Sequence, residues 1–214
     1  MFGSGVPQSF QMDFIKLVVE NALYLLALLN PASKVMFLSS YDPPLSRKNI
    51  FELAWKSSLA ALLILIVLAG CGHFLLTRIF RVELYSLRIT GGLILFFIGW
   101  NAVREGRFLS KSESHGMPAS FTDLSLVPLA APLIAGPGTI AAAISGTAEC
   151  GLLCISLALT LAVGINFIIM LCAPGINRIL DKIHAIGPLI RLTGLIIAAV
   201  ATQMVITGLK ECLK

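Results

Sequence analysis

The chain has 214 residues, 57% of them hydrophobic and 13% charged, with a net charge of +5 and a mean hydropathy of +0.91. Such a composition excludes an ordinary soluble domain, and basic residues lying between apolar runs read as loop bias of a membrane protein, not as a nucleic-acid surface. The five cysteines form no Cys-x-x-Cys pair, so they read as small buried hydrophobes instead of zinc ligands or disulfides.

Six runs of about 20 apolar residues, the length that roughly 30 Å of hydrocarbon requires, predict an all-α membrane fold. They lie at about 14–40, 57–77, 84–103, 124–146, 151–173 and 189–209. Residues 1–13 lack the basic region and cleavage site of a secretory signal, so the first span is expected to be retained. The predicted loops of one face carry eight basic residues and those of the other five. The richer face is expected to be cytoplasmic, as in a bacterial-type inner membrane, with both termini outward.

The first span is interrupted deep inside itself by Asn30-Pro31-Ala32-Ser33-Lys34. The fourth is interrupted by Ala135-Gly136-Pro137-Gly138-Thr139, with Pro137 lying 106 residues after Pro31. A second echo follows each break: Leu87-Arg88-Ile89-Thr90-Gly91 returns 103 residues later as Ile190-Arg191-Leu192-Thr193-Gly194. Three spans per half is an odd number, so a repeated second half must enter the membrane from the opposite face. The expectation is two inverted three-helix repeats, 1–103 and 124–214, joined by a polar linker at 104–123, with helices 1 and 4 discontinuous.

Proline removes a backbone donor and clashes with the carbonyl one turn back. Unpaired backbone in hydrocarbon costs several kcal/mol per group, so such breaks persist only facing protein or a wet cavity. Helices restarting there would aim free N–H groups at an anion such as a carboxylate. The candidate substrate-binding residues are therefore Asn30, Pro31, Ala32 and Ser33 with Ala135, Gly136, Pro137, Gly138 and Thr139. The competing reading is a pair of structural kinks satisfied by neighbouring helices. For Lys34 two readings stand: gating or recognition of substrate charge, and snorkelling of a long stem to the interface.

Arg88 and Arg191 start spans three and six and read first as interfacial anchors. Thr90-Gly91-Gly92 and Thr193-Gly194 suit close helix packing. Asn101, Asn166 and Gln203 read as interhelical hydrogen-bonding groups that could also line a path. Glu20 and His73 give no compelling proton relay, so coupling to a proton or sodium gradient stays open. No catalytic motif is present and no metal or other cofactor is expected.

Leu28-Leu29-Asn30-Pro31-Ala32-Ser33-Lys34, Arg88-Ile89-Thr90-Gly91-Gly92 and Pro128-Leu129-Ala130-Ala131-Pro132-Leu133-Ile134-Ala135-Gly136-Pro137-Gly138 resemble, in order and over nearly the whole chain, the MarC/SnatA family of integral membrane proteins. The resemblance implies six helices in two inverted triplets and transport of small neutral amino acids such as glycine and alanine. It carries Asn30 to Ser33 onto the first broken helix and Ala135 to Thr139 onto the second. Ala32-Ser33-Lys34 departs from the small or apolar residues of many relatives, which leaves pocket size open. The leading expectation is a secondary transporter working by alternating access on a small-molecule substrate in the lipid bilayer. The alternatives are an exporter of a lipid-linked anion or drug-like compound, and a non-transporting scaffold, which would leave Ser33 and Thr139 sealed from both sides. No unambiguous GxxxG pair marks an oligomer surface, and a homo-oligomer stays open.

Overall fold

The computed structural model describes residues 8–39, 46–106, 135–182 and 186–213, and these residues are helical with short connections. In chain order the helices are α1 (Gln8–Leu29), α2 (Pro31–Ser39), α3 (Arg47–Phe74), α4 (Leu84–Glu105), α5 (Pro137–Cys150), α6 (Leu152–Lys182) and α7 (Ile186–Cys212). A π-helical turn, Leu75–Ile79, continues α3.

Among the described residues four helices are long and apolar enough to cross a membrane: Arg47–Gly72 of α3, Leu84–Glu105, Leu152–Ile176 of α6 and Ile186–Cys212. Helices suit this setting because they satisfy their own backbone where no water can. The expected first span corresponds to α1 followed by α2, with Asp13, Lys16 and Glu20 on α1. The expected fourth span begins at 124, and residues 124–134 lie outside the described residues. Two spans run longer than expected. Ser46 caps α3, its hydroxyl accepting from the Asn49 N–H at 3.2 Å, which starts that helix ten residues before the apolar run. Likewise α6 carries Pro174 inside it and continues to Lys182, because a proline deletes one ladder bond without necessarily ending the helix.

Side-chain spacing sorts the faces. Leu59, Leu63 and Val67 on α3, and Leu153, Leu157 and Leu161 on α6, recur every four residues and are exposed, as a lipid-facing stripe requires. Ala61, Leu65 and Ala69 of α3 and Ala158, Leu159 and Ala162 of α6 are buried between helices. α1 packs on α6, α3 on both α5 and α6, α2 on α6, α4 on α5, and α4 on α7. The α5–α6 link is the single residue Gly151, whose φ of 86° is open to glycine at little cost.

The longest seam joins α4 to α7, antiparallel and lined by small residues. A Cβ on Gly99 would sit 2.7 Å from the Gly194 carbonyl oxygen, and one on Gly194 would sit 2.9 Å from that of Gly99. A Cβ on Gly92 would meet the Ala201 carbonyl at 2.8 Å. The Thr-Gly echoes therefore mark mutual backbone approach, as expected from their composition. Gly99→Leu should force the pair apart at a cost of about 1–3 kcal/mol, the usual range for overpacking. Its expected signature is a lower Tm in detergent, whereas Gly164→Ala, where a Cβ meets open space, should leave Tm unmoved or raised. Equal melting of the two variants would refute the tight seam.

Candidate functional site

The first break is built from the backbone outward. Asn30 ends α1 with φ of 49°, in the left-handed region that asparagine tolerates better than most residues. Its N–H donates to the carbonyls of Leu26 at 3.1 Å and Ala27 at 3.2 Å, closing the last turn of α1. Pro31 then opens α2, at the helical position where its missing N–H costs nothing. The Asn30 carbonyl accepts from the Ser33 N–H at 3.1 Å and from the Ser33 hydroxyl at 2.8 Å.

Lys34 completes this repair. It is 1% exposed, and its Nζ donates to the Leu29 carbonyl and, at 3.4 Å, to that of Asn30. The snorkelling reading fails here, because the ammonium is buried within the protein. It occupies the place of a cation at a helix C-terminus, where carbonyls lack intrahelical donors.

At the second break Gly136 precedes the first turn of α5 in an extended conformation, and its carbonyl accepts from the Ile140 N–H at 2.9 Å. Ala135, Gly138 and Thr139 are buried. The absent side chain at Gly138 admits Leu95 of α4, whose terminal carbons fill the space a Cβ would need. Nearby, a Cβ on Gly91 would lie 2.8 Å from that of Ala141 and 3.3 Å from the Pro137 carbonyl. In this conformation α4 thus closes over the start of α5.

The described cavity lies at the end of the bundle where α4 begins and α5 and α7 finish. It has a volume of about 210 Å³ and is lined by Asn21 and Tyr24 of α1, Arg88 of α4, Ala142, Ser145, Gly146 and Glu149 of α5, and Gln203, Met204 and Thr207 of α7. None of the residues expected at the breaks lines it. Arg88 is no simple interfacial anchor: its side chain is 10% exposed, Nη2 donates to Glu149 Oε1 at 2.5 Å, and Nη1 donates to Glu211 Oε1. Its counterpart Arg191 is exposed. On the cavity wall the Ser145 hydroxyl is buried without a hydrogen-bond partner among the described residues. Gln203, also lining the cavity, donates to Thr207 Oγ1 at 3.4 Å. Asn101 is exposed, while Asn166 is wholly buried, with Nδ2 donating to Met170 Sδ at 3.4 Å and Oδ1 unpartnered among the described residues. Among the described residues no acidic, histidine and cysteine cluster suits a metal ion.

A family model described as MarC family integral membrane protein matches residues 15–213. The chain belongs to the MarC family. A UPF0056 membrane protein of Pyrococcus horikoshii is 33% identical over an alignment covering 91% of this chain and 94% of the relative. A UPF0056 membrane protein of Aquifex aeolicus is 31% identical, with 94% and 96% covered. The UPF0056 inner membrane protein YhgN of Escherichia coli is 32% identical, with 92% and 98% covered. No solved structure matches the chain. This MarC protein is accordingly an integral, multi-pass membrane protein.

Sequence reasoning missed Glu149, Glu211, Asn21, Tyr24, Ser145 and Thr207 as cavity or rim residues. The usable signal was Arg88 itself. A guanidinium one turn inside a membrane helix needs anionic partners at its own depth, and Glu149 and Glu211 end helices on that same face.

One substitution tests the account of Lys34. Lys34→Met keeps the stem but strips the Leu29 carbonyl of its side-chain donor. A stranded buried acceptor costs about 1–3 kcal/mol, so Tm of the detergent-solubilised protein should fall clearly. A variant as stable as wild type would mean the ammonium is not needed at the break.

Proposed function

We propose that this MarC protein is a secondary transporter of small neutral amino acids, glycine- or alanine-like, working by alternating access between two inverted triplets. The observation that carries the reading is the cavity: small, placed at one end of the bundle, and lined by both signs of charge. Its volume of about 210 Å³ lies below the roughly 300–1,000 Å³ of sites for drug-sized ligands. It has room for several waters, or for a small metabolite. That argues against a large drug-like cargo.

The pairing of helices supports the inverted repeat. Take the first span as α1 with α2 and the fourth as α5 with the residues before it. Exchanging the halves then turns the α1–α6 contact into α5–α3 and the α1–α7 contact into α5–α4, and all four pairs pack. The α3–α6 and α4–α7 pairs map onto themselves. In this scheme 1–103 and 124–214 are the two repeats, and 104–123 joins them. With both termini outward the cavity opens outward.

The breaks lie deeper on the same helices. At 1.5 Å per residue, Asn30 is about 9 Å beyond Tyr24 along α1, and Gly138 is about 6 Å before Ala142 along α5. Rocking of one triplet against the other about these breaks would lift Leu95 off Gly138 and carry the substrate past Asn30, Ser33 and Thr139. Backbone at the two breaks would then contact the substrate in transit. The ion coupled to that movement, if one is, would be read from the same assay.

Counterflow of radiolabelled glycine and alanine in proteoliposomes tests this directly. Both should accumulate against matched unlabelled substrate, and leucine should not. Absence of exchange by well-folded protein, or equal exchange of leucine, would refute the small-amino-acid reading.

A further inference from the structure

We propose that the cavity binds the zwitterionic head group of its amino acid by inserting it into the Arg88–Glu149 ion pair. The substrate carboxylate takes Glu149's place on Arg88, and the substrate ammonium takes Arg88's place on Glu149. This deepens the transport reading and rests on it.

The charges favour a zwitterion. Arg88 faces two carboxylates, Glu149 and Glu211, so the cluster carries one net negative charge. A zwitterion adds one charge of each sign, and every new neighbour is of opposite sign. An anion alone would have to displace Glu149 without giving it a new partner. A cation alone would draw Glu149 away and leave Arg88 Nη2, on a side chain 10% exposed, without its acceptor. A half-ligand leaves one charge without its partner, at little cost for Glu149, which is 61% exposed to water, and at greater cost for Arg88, which is 10% exposed.

The geometry is prepared for that exchange. Arg88 uses different nitrogens for its two partners, so Glu211 on Nη1 can hold the guanidinium while Nη2 changes acceptor. A planar guanidinium fixed in this way presents its free edge to a carboxylate in a set direction. Glu149 stands at the open rim, its side chain 61% exposed, so it can leave Arg88 without moving through packed core.

Two further acceptors surround the position of the ammonium. Ser145 lies one turn below Glu149 on the same face of α5, and its hydroxyl, on a residue 2% exposed, has no partner among the described residues. Such a group is ordinarily paired. Asn21 donates through Nδ2 to the Leu17 carbonyl at 2.9 Å, which leaves Oδ1 as the amide's acceptor. That oxygen lies 3.9 Å from where a Cβ on Gly146 would stand, so it faces α5 beside Ser145. An ammonium has three donors, and Glu149, Ser145 and Asn21 offer three acceptors. Ala142 and Met204 leave an apolar wall of the cavity for a hydrogen or methyl side chain.

The test is binding of radiolabelled glycine to the detergent-purified chain, with competitors that carry only one end of the head group. Alanine should displace glycine. Glycinamide, which lacks the carboxylate, and acetate, which lacks the ammonium, should each compete at least about tenfold more weakly, since each forfeits a charge-assisted bond. Glu149→Gln should weaken glycine binding by about tenfold or more, and Ser145→Ala by about two- to tenfold. Because Ser145 has no partner to lose among the described residues, its alanine variant should melt no lower than wild type, which separates a binding role from a structural one. Glycinamide competing as well as alanine, or Glu149→Gln binding glycine like wild type, would overturn the insertion while leaving glycine counterflow, and the transport reading, intact. A wild-type protein that neither binds nor exchanges glycine or alanine would overturn both.

Discussion

In hydrocarbon a backbone carbonyl without a donor has no water to turn to, so a membrane helix can be broken only where the protein supplies the missing bond. That constraint organises the first third of this chain. Asn30 takes the left-handed conformation that ends α1, Pro31 forbids its continuation, and the carbonyls thus exposed fall to Ser33 and Lys34. The repair is local in sequence, since all its donors lie within five residues of their acceptors. A break made this way does not depend on a neighbouring helix for its hydrogen bonds. Its flanks can therefore tilt against each other without exposing polar backbone to lipid.

The second constraint is close approach. Gly99 and Gly194 bring the backbones of α4 and α7 to distances that any side chain would forbid, so this pair resists separation. Gly91 and Gly138 do the same for α4 on α5, but there part of the contact is the flexible end of Leu95. The difference matters for movement. A backbone-to-backbone seam can only slide or stay, whereas a leucine can change rotamer and uncover the helix start beneath it. The stiff element is thus the α4–α7 couple, and the yielding contact covers the start of α5.

How far the sequence exposes all this follows from the range of each interaction. The break at Asn30-Pro31 is legible because proline and its neighbour act on their own backbone. The glycine seam is legible because small residues in apolar helices have few other uses. Lys34 is ambiguous in sequence, since a snorkelling stem and a capping ammonium need the same residue near a helix end, and only burial separates them. Arg88 is harder still: its partners lie 61 and 123 residues away and end helices that the apolar runs place at or beyond their limits. Residues 124–134, which hold the first part of the expected fourth span, lie outside the described residues, so of the expected second break only the part from Ala135 onward is described.

The ion pairs at the cavity join the two halves of the chain. Arg88 belongs to the first half, while Glu149 and Glu211 belong to the second. A bond across the halves at one face holds that face together, and a ligand that replaces half of it changes what holds the face. Substitution by a zwitterion keeps every charge paired, so it exchanges one set of strong contacts for another instead of removing them. Binding energy can then be spent on geometry, because the Arg88–Glu149 distance must grow to admit the ligand while Arg88–Glu211 remains. The strain falls between α4 and α5, the same pair that meets deeper at Leu95 and Gly138. A wedge at the rim and a loose contact below lie on one interface. On the transport reading, this is how occupation of the cavity reaches the break beneath it.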